Sequence, residues 1–357
     1  MTQNEWNQKT SHVAVVMLLS ALALASTTAQ AGVYDVGKVL ATSGVSVTDG
    51  AAGGGITPWA VIAGYETNQG INGAMHYTYT YLPNYTLSSL GASIGFYDRL
   101  ELSYAYDILP TGSTFNTVGL LANTLSGTGA AADTGIEPFN TSIRMDVFGA
   151  KLRLFGESIY DSDNLIPQVS LGGFYKVNHN KALLNTLLAD KSKDYEAYLV
   201  ATKIFFPLDL LVSATVRYTS ANQTGLTGFG GPNKSKREFR PEVSMAYLLA
   251  KNTAIGAEYA KHGRNVSGRG VNVGGIDTTQ VGAISDALTA AGLPNPVAGL
   301  LSSSNGTLTQ QESDWYDVFL AYFPNKNISF VFAYANLGNI TLTPNQTGAY
   351  FSVQANF

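Results

Sequence analysis

The sequence contains no cysteine. A disulfide framework and a thiolate metal site are therefore excluded, and a chain without thiols suits passage through an oxidising compartment. Charge is also scarce, because only 13% of the 357 residues are Asp, Glu, Lys or Arg, and the net charge is −4 at pH 7. The fraction of charged residues is low for a soluble enzyme. The small negative net charge gives no reason to expect nucleic-acid binding.

Long apolar runs are missing after residue 31. A membrane helix needs about 18 or more consecutive apolar residues, so a helical inner-membrane protein is disfavoured. The early apolar stretch Val13–Ala25 follows Lys9 and precedes Ala29-Gln30-Ala31, a small-x-small cleavage site. We expect residues 1–31 to be a signal peptide cleaved after Ala31, and residues 32–357 to form a single domain. No cysteine follows the stretch, which excludes a lipoprotein anchor on this chain.

The chain does have apolar residues that alternate with polar ones. Counting back from Phe357, the apolar row is Ala355, Val353, Phe351 and Ala349, and the polar row between them is Asn356, Gln354, Ser352 and Tyr350. Such a strand can face lipid on one side and a barrel lumen on the other. Similar uncharged rows recur along the chain, and the first is Trp59, Val61, Ala63 and Tyr65.

Charged residues fall between the apolar rows, where they would point into a lumen. A soluble β-sandwich would show the opposite arrangement, with charges facing solvent. Tyrosines at strand ends also fit interfacial girdles better than a dry core. The predicted pore-lining residues are His76, Glu101, Asp107, Lys151, Arg153, Lys176, Arg217, Glu238, Arg240, Glu242, Glu258 and His262.

The links between the rows alternate in length. Short turns at 67–70, 97–99, 206–209, 249–252 and 324–327 are opposite long links at 109–140, 178–193, 220–237 and 263–313. Outer-membrane barrels keep short turns in the periplasm and long loops outside. We therefore predict an all-β, transmembrane, antiparallel up-and-down β-barrel in a Gram-negative outer membrane. Fourteen strands fit best, with 38–47 and the Trp59 row as the first two, but irregular rows at 38–47, 145–154 and 194–204 leave twelve possible.

Four segments also carry a family resemblance. They are Gly50–Tyr65, Phe96–Ser103, Ser220–Gln223 with Gly228–Gly231, and Asp314–Phe319 ahead of Asn325–Ser329. Over nearly all of the mature chain the sequence resembles a proteobacterial family catalogued as domain of unknown function 3034. The resemblance implies an outer-membrane barrel and brings no assigned activity or site residue.

Catalytic chemistry finds little support in the sequence. Three histidines follow the signal, His76, His179 and His262, and none has a serine or aspartate nearby in a nucleophile or water-activating motif. Glu258 and His262 would lie about 13 Å apart along a strand, too far to share a metal ion. The glycine runs lack the Lys-Ser of a phosphate loop. We expect no catalytic residues, no metal and no cofactor.

Two features bear on function. Opposed lumen charges could constrict a pore and favour small polar solutes, or they could simply pair and fill a narrow barrel. Three outer loops carry apolar segments at helical spacing that could form a lid over a vestibule for apolar molecules, or merely order the loops. The predicted lid residues are Leu120, Leu121, Leu183, Leu184, Leu187, Leu188, Ile284 and Leu288.

The sequence therefore favours a porin-like channel for passive diffusion of small solutes, with hydrophobic ones among the candidates. A closed structural or adhesion barrel that acts through its outer loops is the alternative, followed by an outer-membrane lipid hydrolase. The expected partners are outer-membrane lipids, lipopolysaccharide, a small solute, and the barrel-assembly machinery through the C-terminal strand ending at Phe357.

Overall fold

The computed structural model describes residues 45–64, 70–127, 129, 131–136, 141–158, 164–295, 298 and 309–357. The predicted signal peptide, with its cleavage site, lies outside the described residues. So does most of the weakly apolar segment 38–47.

Twelve antiparallel strands close into one barrel, each paired with its neighbours in the chain. Two short strands precede them, β1 (Val45–Ser46) and β2 (Ala52–Gly53), which pair with each other and with no barrel strand among the described residues. The barrel strands are β3 (Ile71–Tyr81), β4 (Thr86–Phe96), β5 (Leu100–Pro110), β6 (Ser142–Phe155), β7 (Gln168–Asn178), β8 (Lys193–Phe205), β9 (Leu210–Thr219), β10 (Glu238–Ala250), β11 (Thr253–Ala260), β12 (Trp315–Asn325), β13 (Ile328–Asn336) and β14 (Thr347–Asn356).

The barrel closes where its last strand pairs with its first. β14 runs antiparallel to β3, with Phe351 opposite Tyr79. At the end of the seam, Phe357 and Gly73 exchange backbone hydrogen bonds of 2.9 and 2.7 Å. No edge of the sheet is left at this seam, as a membrane-spanning sheet requires.

Period-two alternation gives the barrel an apolar outer surface. Large apolar side chains point outward along every strand pair, among them Leu102, Phe148, Leu171, Val216, Met245, Ile255, Leu320, Phe332 and Phe351. An outward apolar band around a closed barrel is the surface that lipid tails require. The protein is a transmembrane β-barrel of the outer-membrane type, with short periplasmic turns and long extracellular loops.

The outer loops contain the helices α1 (Gly112–Gly127), α2 (Lys181–Thr186) and α3 (Thr278–Ala290). α3 begins with a capping box in which Asp277 accepts from the Gln280 backbone and the Gln280 side chain accepts from the Asp277 backbone. Among the described residues, no helix is both long and apolar enough to cross a membrane.

The predicted strand around Trp59 is not in the barrel wall. The row Trp59, Val61 and Ala63 was expected to face lipid, but all three side chains are buried inside the lumen, and so are Ala60 and Ile62 between them. Because both the odd-numbered and the even-numbered side chains are buried, the segment is enclosed on every side rather than exposed on one. That prediction is wrong, and the twelve-strand count, which the irregular rows left possible, is the one observed; Tyr65 lies outside the described residues.

The other irregular segments do form strands. Residues 194–204 lie within β8, and residues 145–154 lie within β6 with Lys151 facing inward. The predicted turns at 97–99 and 206–209 join consecutive strands of the barrel.

Candidate functional site

Residues 45–64 occupy the barrel lumen, and we call them the plug. Because the plug has little regular structure, its backbone N–H and C=O groups need partners from the barrel wall. Side chains of seven strands supply them or bond to plug side chains: Ser89, Glu101, Lys151, Gln168, Ser170, Lys176, Thr202, Thr215, Arg217 and Glu258.

A buried ion pair clamps the lower part of the plug. Lys151 Nζ lies 3.1 Å from Glu101 Oε2 and donates to the carbonyls of Ala52 and Trp59. Glu101 accepts from the backbone N–H of Ala52 and of Ala63. Both charged side chains are 1% exposed, so each is stabilised by the other and by plug amides instead of water.

A second anchor holds the plug to β11. Glu258 accepts from the Ile56 backbone at 2.8 Å and from the Thr57 hydroxyl at 2.5 Å. Gly54 and Gly55 run so close to the wall that a side chain at either position would overlap Glu258 or the Tyr350 hydroxyl. The glycine-rich part of the segment is therefore what lets the chain pass through a lumen already filled by wall side chains.

The upper anchor is ionic, and we call it the Asp49 latch. Asp49 of the plug lies 2.8 Å from Lys176 Nζ on β7 and 3.2 Å from Arg217 Nη1 on β9. The same two cations also pair with wall carboxylates: Glu196 lies 2.9 Å from Lys176 and 2.6 Å from Arg217, and Glu242 lies 2.5 Å from Arg217. Asp49 is thus the only plug member of this group among the described residues, and it can be neutralised while the wall pairs remain.

All twelve predicted pore-lining side chains lie on the inner face or at its ends. Ten of them are buried: His76, Glu101, Asp107, Lys151, Lys176, Arg217, Arg240, Glu242, Glu258 and His262. Arg153 lies near the periplasmic end, bonded to Asp98 and Glu157, and Glu238 lies at the outer end beside Lys234 and Arg240. The inner charges pair with one another and with the plug, and their role as a pore lining stays a prediction.

An apolar space lies between the plug and the outer loops, and we call it the apolar chamber. Its apolar walls include Val45, Leu87, Phe115, Trp315, Leu337 and Ile340, and polar residues such as Thr80, Gln223 and Tyr350 also line it. It consists of two adjoining narrow cavities that share Thr80, Leu87, Trp315 and Leu337. Phe115 brings α1 to the chamber, where its ring lies 6.3 Å from that of Tyr85.

The predicted lid residues surround this region unequally. Leu121, Leu183, Leu184 and Leu187 are buried, Leu188, Ile284 and Leu288 are half-buried, and Leu120 is exposed. Only α1 contributes a wall of the chamber, through Phe115; α2 packs against the neighbouring loops, with Thr186 accepting from Asn272. A lid function therefore remains a prediction.

Among the described residues, the histidines are not arranged as a nucleophile, base and orienting group. His76 Nε2 lies 3.4 Å from Ser89 Oγ, but that hydroxyl donates to the Thr48 carbonyl, and among the described residues His76 Nδ1 has no hydrogen-bond partner to orient it. The pair lies inside the lumen rather than at the lipid-facing rim. His179, on the outer surface, bonds to Asp146.

Sequence reasoning missed three residues of this site. Asp49 and Trp315 were not singled out, and Glu196 lies in the strand whose row was irregular. The available signal for Asp49 was an acid beside a glycine run, a pattern that is compatible with an ordinary turn.

Comparison with known proteins places the chain in a family. A family model described as "Protein of unknown function (DUF3034)" matches residues 42–354. The chain belongs to this family. The resemblance seen in the sequence is thereby confirmed, and the plug lies wholly inside the matched range.

Solved structures with similar folds are outer-membrane barrels. The KdgM porin aligns with a TM-score of 0.41 at 12% identity, over 80% of this chain and 99% of that one. Omp33 of Acinetobacter baumannii has a TM-score of 0.35 at 9% identity (80% and 98%), and phospholipase A of Escherichia coli 0.34 at 10% (80% and 92%). Similarity at this level says nothing about the solute or reaction of this chain. No curated protein matches it.

Proposed function

We propose that this protein is an outer-membrane channel for small solutes whose lumen is held shut by the plug. The observation that carries the proposal is the Asp49 latch. A plug joined to the wall by side-chain hydrogen bonds and ion pairs, and followed in the chain by the first strand, can be displaced without breaking a barrel strand pair. The wall cations keep Glu196 and Glu242 as partners when Asp49 leaves.

Hydrophobic solutes fit the space above the plug. The apolar chamber offers few polar groups to a hydrated ion, whereas an apolar molecule that leaves water for such walls gains about 25 cal/mol per Å² of surface. Polar solutes would instead have to follow the paired charges along the lower lumen. We therefore place small apolar or amphiphilic molecules first among the candidate solutes.

The competing function is a closed structural or adhesion barrel. The number of wall side chains bonded to the plug favours it, because a plug anchored on seven strands can act as a permanent filling. The two functions differ in one observable property, which is whether removing plug anchors produces a conducting pore.

Single-channel conductance in a planar bilayer tests the proposal. We expect rare, small openings in the wild type, more frequent openings in Asp49→Asn, and a large steady conductance when residues 45–64 are deleted. Asp146→Asn, on the outer surface, is the matched control and should behave as the wild type. If the deleted barrel is folded, as judged by its resistance to denaturation in cold detergent, yet remains silent, the channel proposal is wrong and the closed barrel is favoured.

We also propose the route by which the chain reaches the membrane. Residues 1–31 would direct export and be removed after Ala31, and strand β14 with Phe357 would be recognised by the barrel-assembly machinery. The alternating outer face of β14 supports this proposal. Lipids and lipopolysaccharide would then contact the apolar band.

A further inference from the structure

Trp315 lies where three cavities meet. It lines both halves of the apolar chamber and also a third cavity whose walls include Arg240 and His262. One face of the Trp315 ring stacks on His262, with ring centroids 4.4 Å apart. Its indole N–H donates to Gln223 at 2.9 Å, which fixes the ring in this position. Trp315 thus lies between an apolar space and a charged space, and Ile56 lines both as well.

The charged cavity contains hydrogen-bonding capacity that the protein does not use. Arg240 is 3% exposed; its Nη1 donates to the Ala221 carbonyl and its Nε to Glu238. Its Nη2 has no partner among the described residues, and neither does Nδ1 of His262. A buried guanidinium N–H without an acceptor is costly, so two such groups lining one cavity indicate a further acceptor. Glu196 and Glu242 also line this cavity and Glu312 lies near Arg240, but among the described residues none of these carboxylates accepts from Arg240 Nη2 or from His262 Nδ1.

A carboxylate is the acceptor that best matches this pair. Arginine donates to carboxylates through a planar fork, and hydrogen bonds between ionised groups are about twice as strong as neutral ones. Burial and the charge of Arg240 hold the pKa of His262 well below its usual value, so the imidazole stays neutral and can donate one hydrogen bond. The chamber on the other side of Trp315 is narrow and apolar, which suits an unbranched chain better than a bulky ring.

We propose that this protein binds a linear aliphatic carboxylate, with its head group on Arg240 and His262 and its chain beside Trp315 in the apolar chamber. This proposal rests on the proposed channel function, because the bound carboxylate would be the solute that collects above the plug. Binding at this site does not require the plug to move, so the two proposals can fail separately.

Quenching of Trp315 fluorescence by a brominated chain tests the site. The full chain carries tryptophan at 6, 59 and 315, so Trp6→Phe with Trp59→Phe leaves Trp315 as the sole reporter. In a nonionic detergent we expect 11-bromoundecanoic acid to quench at a concentration about tenfold lower than 11-bromoundecanol, since one charge-assisted hydrogen bond contributes roughly that factor. Because the two probes share a chain, the difference reports the head group.

Two arginine variants separate the site from general effects. Arg240→Met should abolish the preference for the acid while leaving the alcohol unchanged. Arg237→Met is the matched control, because Arg237 lies three residues earlier and stacks on Tyr195 outside the cavity; it should keep the preference. Equal quenching by acid and alcohol in the reporter background, or no quenching by either, overturns the proposal. If the plug-deleted barrel conducts but the acid does not quench selectively, this proposal alone is overturned. If the acid quenches selectively but the plug-deleted barrel does not conduct, the channel proposal alone is overturned.

Discussion

At the residue scale, the direction of each wall charge could be predicted, but its partner could not. Alternation alone indicated that Arg217 and Glu242 face inward, as they do. The ion pair between Asp49 and Lys176 joins a plug residue to a strand distant in the chain, and no local pattern encodes such a distance. Glu196 was missed because β8 carries polar residues on both faces, which hides its alternation.

Glu312 provides a test of buried charge near the proposed ligand site. Its carboxyl is 2% exposed, and burial raises its pKa to about 7 despite the opposing effect of Arg240. An acid with a raised pKa keeps its proton in the folded state while the unfolded chain releases it. The folded state therefore loses stability as pH rises from about 4.5 to about 7.

We expect Glu312→Gln to stabilise the barrel at pH 8, by up to about 3 kcal/mol, and to change its stability little at pH 4. The Gln223 side chain and the Asn265 backbone, which lie beside the Glu312 carboxyl and oppose the rise in its pKa, can also contact an amide. The measurement is urea unfolding in lipid vesicles at both pH values. Asp133→Asn, at an exposed carboxylate, is the control and should show no such pH dependence; a gain that is equal at pH 4 and pH 8 would contradict the assignment.

At the element scale, strands were easier to predict than the plug. A lipid-facing row and a lumen-facing polar row differ sharply, so β5 and β14 could be read from sequence. The segment around Trp59, Val61 and Ala63 has the same alternation, but it is buried on all sides. Alternation of apolar and polar residues indicates that one face of a segment is apolar. It does not indicate whether lipid or protein covers that face. The only distinguishing sign was the glycine run before it.

The plug's position can be followed by cysteine labelling, because the chain has no native cysteine. Ala60→Cys lies at a fully buried position, so a water-soluble maleimide should react with it slowly in the folded barrel. Adding Asp49→Asn should increase the labelling rate several-fold, because the latch no longer holds the upper plug. Lys251→Cys, on an exposed turn, should label rapidly in both backgrounds. If position 60 is labelled at the same rate with Asp49 in place and with Asp49→Asn, the latch does not control the position of the plug.

At the scale of the whole molecule, the barrel is a lipid-facing surface built around a polar and densely bonded interior. The sequence could predict this arrangement because a membrane enforces it on every strand at once. The chamber under the loops could not be predicted, since its walls combine β4 (Leu87), α1 (Phe115), β12 (Trp315) and the link after β13 (Leu337, Ile340). Only the closed barrel brings those segments together.

The depth of the membrane can be tested on β13. Phe332 lies near the middle of the strand and points outward, 58% exposed, whereas Tyr334 is nearer the extracellular end. Phe332→Arg should destabilise the barrel by roughly 2–4 kcal/mol, and Tyr334→Arg by about 1 kcal/mol or less, because the cost of a charge falls toward the interface. Unfolding in urea from vesicles measures both. Equal costs at the two positions would place the midplane elsewhere.

The reciprocal bonds between Gly73 and Phe357 have a consequence for assembly. The plug directly precedes the first barrel strand in the chain, and the last strand completes the ring by pairing with that first strand. Either residues 45–64 are already gathered inside the curling sheet when the seam forms, or they must enter afterwards through one end of a finished ring. In the first case Glu101 and Lys151 meet the amides of the plug before closure, and the chain's own leading segment serves as the template around which its wall is wrapped.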